Sequence, residues 1–95
     1  MDIHELRRQI DAIDDQLLKL FNERARLAQK IGLLKKAQGL PIYVPSREEE
    51  ILERLQRENP GPLSPEAIKR LYQQLMEESK RLEQEEELPE HNCSC

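Results

Sequence analysis

Apolar residues recur at Ile3, Leu6, Ile10, Ile13, Leu17 and Leu20 and again at Leu27, Ile31 and Leu34, in alternating steps of three and four. That period belongs to an amphipathic helix with a narrow, coiled-coil-like seam. It predicts a first helix from about Ile3 to about Ala37. Arg24 occupies the one seam position that breaks the pattern. A guanidinium is always charged, and desolvating it alone costs several kcal/mol, so on a burying face it must be paired or must receive an anion. Arg24 is therefore a candidate ligand-binding residue.

The punctuation of the chain predicts two further helices. Asp2 stands as an N-cap for the first, and Gly39, with Pro41 just beyond, as its stop. Gly32 inside that helix is unfavourable by propensity and marks a place of close approach by another helix. The stretch Gly39-Leu40-Pro41-Ile42-Tyr43-Val44-Pro45 is expected to be extended, because a residue before proline is pushed out of the helical region. Ser46 and Glu49 have the spacing of a capping box, which predicts a second helix from about Arg47 to Glu58 with Ile51, Leu52 and Leu55 inward. Asn59-Pro60-Gly61-Pro62 ends it, and Ser64-Pro65 supplies an N-cap and an N1 proline for a third. The third helix carries Ile68, Leu71, Tyr72, Leu75, Met76 and Leu82 as its apolar stripe, with Ser79 on the same face. Beyond about Gln84 the periodicity ends. Residues 1–85 are thus expected to form one domain, and 86–95 a disordered acidic tail.

Composition turns this into an all-α fold that needs a partner. The chain has 95 residues, 36% charged and 37% hydrophobic, with no Trp and 3 Gly, which suits long amphipathic helices better than a sheet. A chain this short buries only about two thirds of its unfolded surface when it folds alone. Yet the first helix would extend roughly 50 Å. Its seam requires cover over its whole length, so a homodimer is expected. The net charge of −4 argues against nucleic acid or an anionic membrane as partner. No apolar run approaches the roughly 18 residues of a membrane span, and the N-terminus lacks a hydrophobic signal segment, so the expected location is cytoplasmic.

The candidate chemistry is cationic. Lys35 lies eleven positions beyond Arg24, close to three turns, and so projects from nearly the same side of the helix. Arg7 also borders the seam. It is 17 positions from Arg24, about 25 Å along a straight helix, so one chain cannot gather all three around a small ligand. Two first helices running antiparallel remove the difficulty, because Arg7 of one chain then meets Arg24 and Lys35 of the other. Two equivalent pockets in a twofold dimer follow. Against this stands an ordinary alternative: flanking charges of a coiled coil are commonly solvated, and a polar seam residue can serve only to set register. Arg47 and Glu48 open the second helix, where exposure is the usual state; Ser79 is small enough simply to permit close packing; and Glu83 would ordinarily lie at the surface. No nucleophilic or histidine-based arrangement is visible, the glycines do not form a phosphate loop, and no cofactor is implied. His91, Cys93 and Cys95 fall short of the four ligands of a structural zinc site, and no metal is expected.

Three stretches resemble one family: LRRQIDAIDDQLLKLFNERARLAQKIGLLKK, then VPSREEEILERL, then IKRLYQQLMEESKRLEQ. Together they look like the all-helical AroQ-type, or type II, chorismate mutases, over about Ile3 to Gln84. The resemblance implies an intertwined antiparallel homodimer of three-helix chains that rearranges chorismate to prephenate in aromatic amino-acid biosynthesis. It further implies that Arg24, with Arg7 of the other chain, binds the two carboxylates of chorismate. Lys35 would serve a carboxylate and the ether oxygen, Arg47 would line the site, Glu48 would accept a hydrogen bond from the ring hydroxyl, and Ser79 would contact a carboxylate. Val44 stands where some members have aspartate, but the contact there is through the backbone. Members of the family also occur fused to, or associated with, other aromatic-pathway enzymes.

Glu83 is the informative departure, since many members have glutamine there, donating to the ether oxygen. An ionised glutamate cannot donate, so Glu83 is expected to work protonated in a dry pocket. Two other functions remain compatible with the sequence: a non-catalytic helical dimerisation or regulatory module of an aromatic-pathway enzyme, and an isochorismate-pyruvate lyase. Retention of Arg7, Arg24, Lys35 and Arg47 together favours catalysis, because a zipper has no use for several cations along its seam.

Overall fold

The computed structural model describes residues 2–41 and 43–86, with side-chain surroundings given through Glu83. Its elements are α1 (Ile3–Gln38), α2 (Pro45–Glu58) and α3 (Pro65–Glu86). The expected acidic tail lies, from residue 87 onward, outside the described residues, as do His91, Cys93 and Cys95. α3 itself runs on to Glu86, past the point where apolar periodicity fades.

Most of the helix ends follow their local chemistry. The Asp2 carboxylate accepts from the Glu5 amide at 2.8 Å, and Gly39 closes α1 in the left-handed conformation at φ 71°, with the Leu40 amide returning to the Lys35 carbonyl at 2.7 Å. Only glycine adopts that φ without a steric penalty. Ser64 Oγ accepts from the Ala67 amide at 3.1 Å and opens α3. Between α2 and α3, the Asn59 side chain bonds both the Gly61 amide and the Leu63 carbonyl and holds the turn.

The start of α2 differs from the sequence expectation. Val44 is the N-cap and Pro45 the first helical residue, with no side-chain cap, so Ser46 lies inside the helix and forms no capping box. Proline explains the shift: its fixed φ is already helical, and it has no N–H that needs a cap. The Val44 carbonyl accepts from the Arg47 and Glu48 amides at 3.1 and 3.2 Å, which brings Arg47 and Glu48 into the first turns of a formed helix.

α1 and α2 each pack on α3, and their backbones do not approach one another. α3 is therefore the bridge. Among the described residues the buried set is small: Ile51 and Met76 are its apolar members, joined by Gly32, Ser79 and Glu83. All apolar seam residues in the first half of α1 remain open, among them Ile3 at 63% and Ile10 and Ile13 at 54% exposure. The radius of gyration is 16.8 Å, against about 12 Å for a compact domain of this length. The first half of α1 thus projects beyond the core of its own chain, with its apolar seam uncovered.

Candidate active site

A cavity of about 460 Å³ opens where the C-terminal half of α1, the start of α2 and the middle of α3 converge. Seven residues singled out from the sequence line it: Arg24 and Lys35 from α1, Val44, Arg47 and Glu48 around the start of α2, and Ser79 and Glu83 from α3. Arg7 is not among them. It lies exposed on the open half of α1, as its separation from Arg24 requires.

Several of the polar groups have an identifiable support. Arg24 Nη1 donates to Ser79 Oγ at 3.4 Å, while the Ser79 hydroxyl donates to the Leu75 carbonyl at 3.1 Å. Ser79 thereby anchors the guanidinium to α3, and its burial reflects that role as well as close helix packing. Arg47 pairs with Glu50 one turn on, at 2.5 Å, with its side chain 59% exposed. Glu83 is only 9% exposed. Its side chain crosses α1 at Gly32, where an added Cβ would stand 3.0 Å from Glu83 Cγ. The close approach expected at Gly32 is thus the crossing of the Glu83 side chain, which lines the cavity, and Glu83 is not a surface residue.

Lys80 also lines the cavity and was not singled out from the sequence. Its ammonium lies 3.3 Å from Glu48 Oε2 and 3.3 Å from Glu77 Oε2, and 4.3 Å from the centre of the Tyr43 ring. Burial pushes this lysine down, but the Glu77 and Glu48 carboxylates outweigh it and hold Lys80 above the ordinary value of 10.5. A usable signal was present. Met76, Ser79, Lys80 and Glu83 are spaced three, four and seven apart, the spacing of one helix face. With Ser79 and Glu83 assigned to the site, Lys80 belongs beside them.

Arg24, Lys35, Arg47 and Lys80 line the cavity together with Glu48 and Glu83, and Leu27, Ile31, Ile51 and Met76 supply apolar walls. The excess of basic over acidic side chains suits an anion. Among the described residues, no group of three or more His, Cys, Asp or Glu is placed to hold a metal ion, and no helix is long and apolar enough to cross a membrane.

Fold and site together define an all-helical protein with a pocket rich in cationic side chains, built on one protruding helix. Residues 6–84 match the chorismate mutase type II family, and the chain belongs to it. A bifunctional chorismate mutase/prephenate dehydratase of Aquifex aeolicus is 43% identical over 79 residues, which cover 79% of this chain and 22% of that protein. The chain therefore spans about a fifth of the length of that bifunctional relative. A chorismate mutase of Methanocaldococcus jannaschii is 42% identical over 53 residues, 56% of this chain and 54% of that protein. Among solved structures, chorismate mutase (form II) from Thermus thermophilus superposes with a TM-score of 0.85 at 44% identity, covering 86% of this chain and 93% of that one. Chorismate mutase from Helicobacter pylori in complex with prephenate superposes with a TM-score of 0.81 at 36% identity, covering 87% and 90%.

Proposed function

We propose that this chain rearranges chorismate to prephenate as an antiparallel homodimer with two active sites, each completed by Arg7 of the other subunit. The observation that carries this is the convergence of Arg24, Lys35, Arg47, Glu48, Ser79 and Glu83 on one cavity in a member of this family.

The chemistry explains why these residues suffice. The rearrangement breaks one carbon–oxygen bond and forms one carbon–carbon bond within a single molecule, so no nucleophile or added reactant takes part. Catalysis consists of holding a flexible substrate in its compact conformer and stabilising the charge that grows on the ether oxygen. Arg24 and the partner's Arg7 clamp the two carboxylates, for which the guanidinium fork is suited. Ser79 fixes Arg24 from behind and lies within reach of the same carboxylate. Lys35 serves a carboxylate and the ether oxygen, Arg47 lines the entrance, and Glu48 accepts from the ring hydroxyl. Val44 meets the substrate through its backbone. Glu83, protonated, donates to the ether oxygen; its burial against Gly32 supplies the dry setting that this requires.

The dimer is supported by the open seam. Burying the six seam residues from Ile3 to Leu20, now 40% to 63% exposed, contributes on the order of 5–10 kcal/mol. That is comparable with the whole stability of a small domain. The polar, charge-rich composition suits a cytoplasmic setting, and the bifunctional relatives make association with another aromatic-pathway enzyme a natural arrangement. The test is loss of chorismate followed by ultraviolet absorbance, with the product identified as prephenate. A folded protein that shows no rate above background refutes the proposal; pyruvate release from isochorismate would redirect it to the lyase.

A further inference from the structure

Lys80 joins three elements around the cavity. It reaches from α3 to Glu48 in the first turns of α2, to Glu77 one turn back on its own helix, and across the face of Tyr43 in the connector. An ammonium has three N–H donors. Two carboxylates and a ring face account for them, so Lys80 is committed to neighbours and is not a carboxylate clamp like Arg24. Its effect passes through Glu48.

Glu48 needs such a neighbour. It shares the cavity with Arg24, Lys35 and Arg47, and a carboxylate with rotamer freedom among three cations collapses onto one of them. That collapse would occupy a group meant for substrate and turn away the oxygen meant for the ring hydroxyl. We propose that Lys80 is a positioning residue of the mutase site: backed by Glu77 and Tyr43, it holds Glu48 against the α3 side of the cavity. Glu48 is thereby kept off Arg24 and presents its second oxygen to the substrate hydroxyl. This role rests on the mutase reading of the site. Adjacent residues of α3 then divide the work, Ser79 holding Arg24 of α1 and Lys80 holding Glu48 of α2.

The test uses the full chain with chorismate and compares wild type, Lys80→Met, Lys80→Arg, Glu48→Gln and the double variant Lys80→Met/Glu48→Gln. Methionine keeps the length of the side chain and removes the charge. The expected result is a loss of about tenfold or more in kcat/KM for Lys80→Met, with KM raised as well as kcat lowered. Thermal melts should stay close to wild type, and Lys80→Arg should recover most of the loss. In the Glu48→Gln background, removing Lys80 should change kcat/KM by less than about twofold, because residues acting as a unit are not additive. Active wild type with Lys80→Met inside twofold of it overturns the role of Lys80 alone. An undiminished loss in the Glu48→Gln background also overturns it, since Lys80 would then act on substrate or fold directly. A folded wild type without turnover overturns the mutase reading and this role with it.

Discussion

A Cβ added to Gly32 would stand 3.0 Å from Cγ and 3.3 Å from Cβ of Glu83, so α1 carries its one glycine where the root of that side chain crosses it. The contact involves the base of the glutamate, which cannot swing aside as its far end could. Gly32→Ala therefore sets two effects against each other. Alanine gains about 1 kcal/mol of helix propensity, while overpacking costs about 1–3 kcal/mol. Stability is expected to change by no more than about 2 kcal/mol, whereas kcat should fall about tenfold or more as Glu83 is displaced. Thermal melting read beside steady-state kinetics separates the two.

Arg24→Ala is expected to lower kcat/KM by about 10²–10³-fold, the usual loss when one donor to developing or bound negative charge is removed. The oligomer should persist or gain stability, since an apolar side chain restores the seam. Dissociation in sedimentation would instead identify Arg24 as a register residue.

Shared sites make a mixing prediction. Arg7→Ala and Arg24→Ala should each be nearly inactive alone. Refolded together in equal amounts, half the dimers are mixed, and each of these has one intact site, so about a quarter of wild-type activity should return. No recovery would mean that each site is built within one chain.

The proposed donation by a protonated Glu83 makes a prediction about the pH profile. A carboxyl group that donates while protonated is active below its pKa, so kcat should decline as pH rises through that pKa, and Glu83→Gln should flatten the decline. Lys80 does not confuse the measurement. Its acidic neighbours raise it above 10.5, so it keeps its charge throughout the neutral range, and whatever stability its charge contributes is lost only at more alkaline pH.

Replacing Ile10 or Ile13 with Glu would put a charge into the expected dimer seam at a cost of several kcal/mol. Both residues are 54% exposed in the single chain, so the isolated fold has little reason to object. Loss of the dimer and of activity together, measured by light scattering and chorismate consumption, is the expected outcome.

Much of this was legible in the sequence because it is local. The three helices, the Asp2 and Ser64 caps, the Gly39 stop and the anomaly at Arg24 each depend on residues within a turn or two, where period and capping chemistry act. The start of α2 was misread because two local signals competed there. Pro45, preorganised at N1, prevailed over the Ser46–Glu49 spacing, and it did so without a tertiary contact.

The sequence by itself determined a long apolar seam along the first helix and placed Arg24 on it as a charge in need of an anion or a partner. Only the tertiary structure decided what surrounds Glu83 and Glu48. The crossing of Glu83 at Gly32 and the grip of Lys80 on Glu48 join residues of different helices, 51 and 32 positions apart. Contacts of that kind depend on the rotation and depth at which α3 packs against its neighbours. Period 3.6 specifies which face is buried, but not which buried side chain meets which.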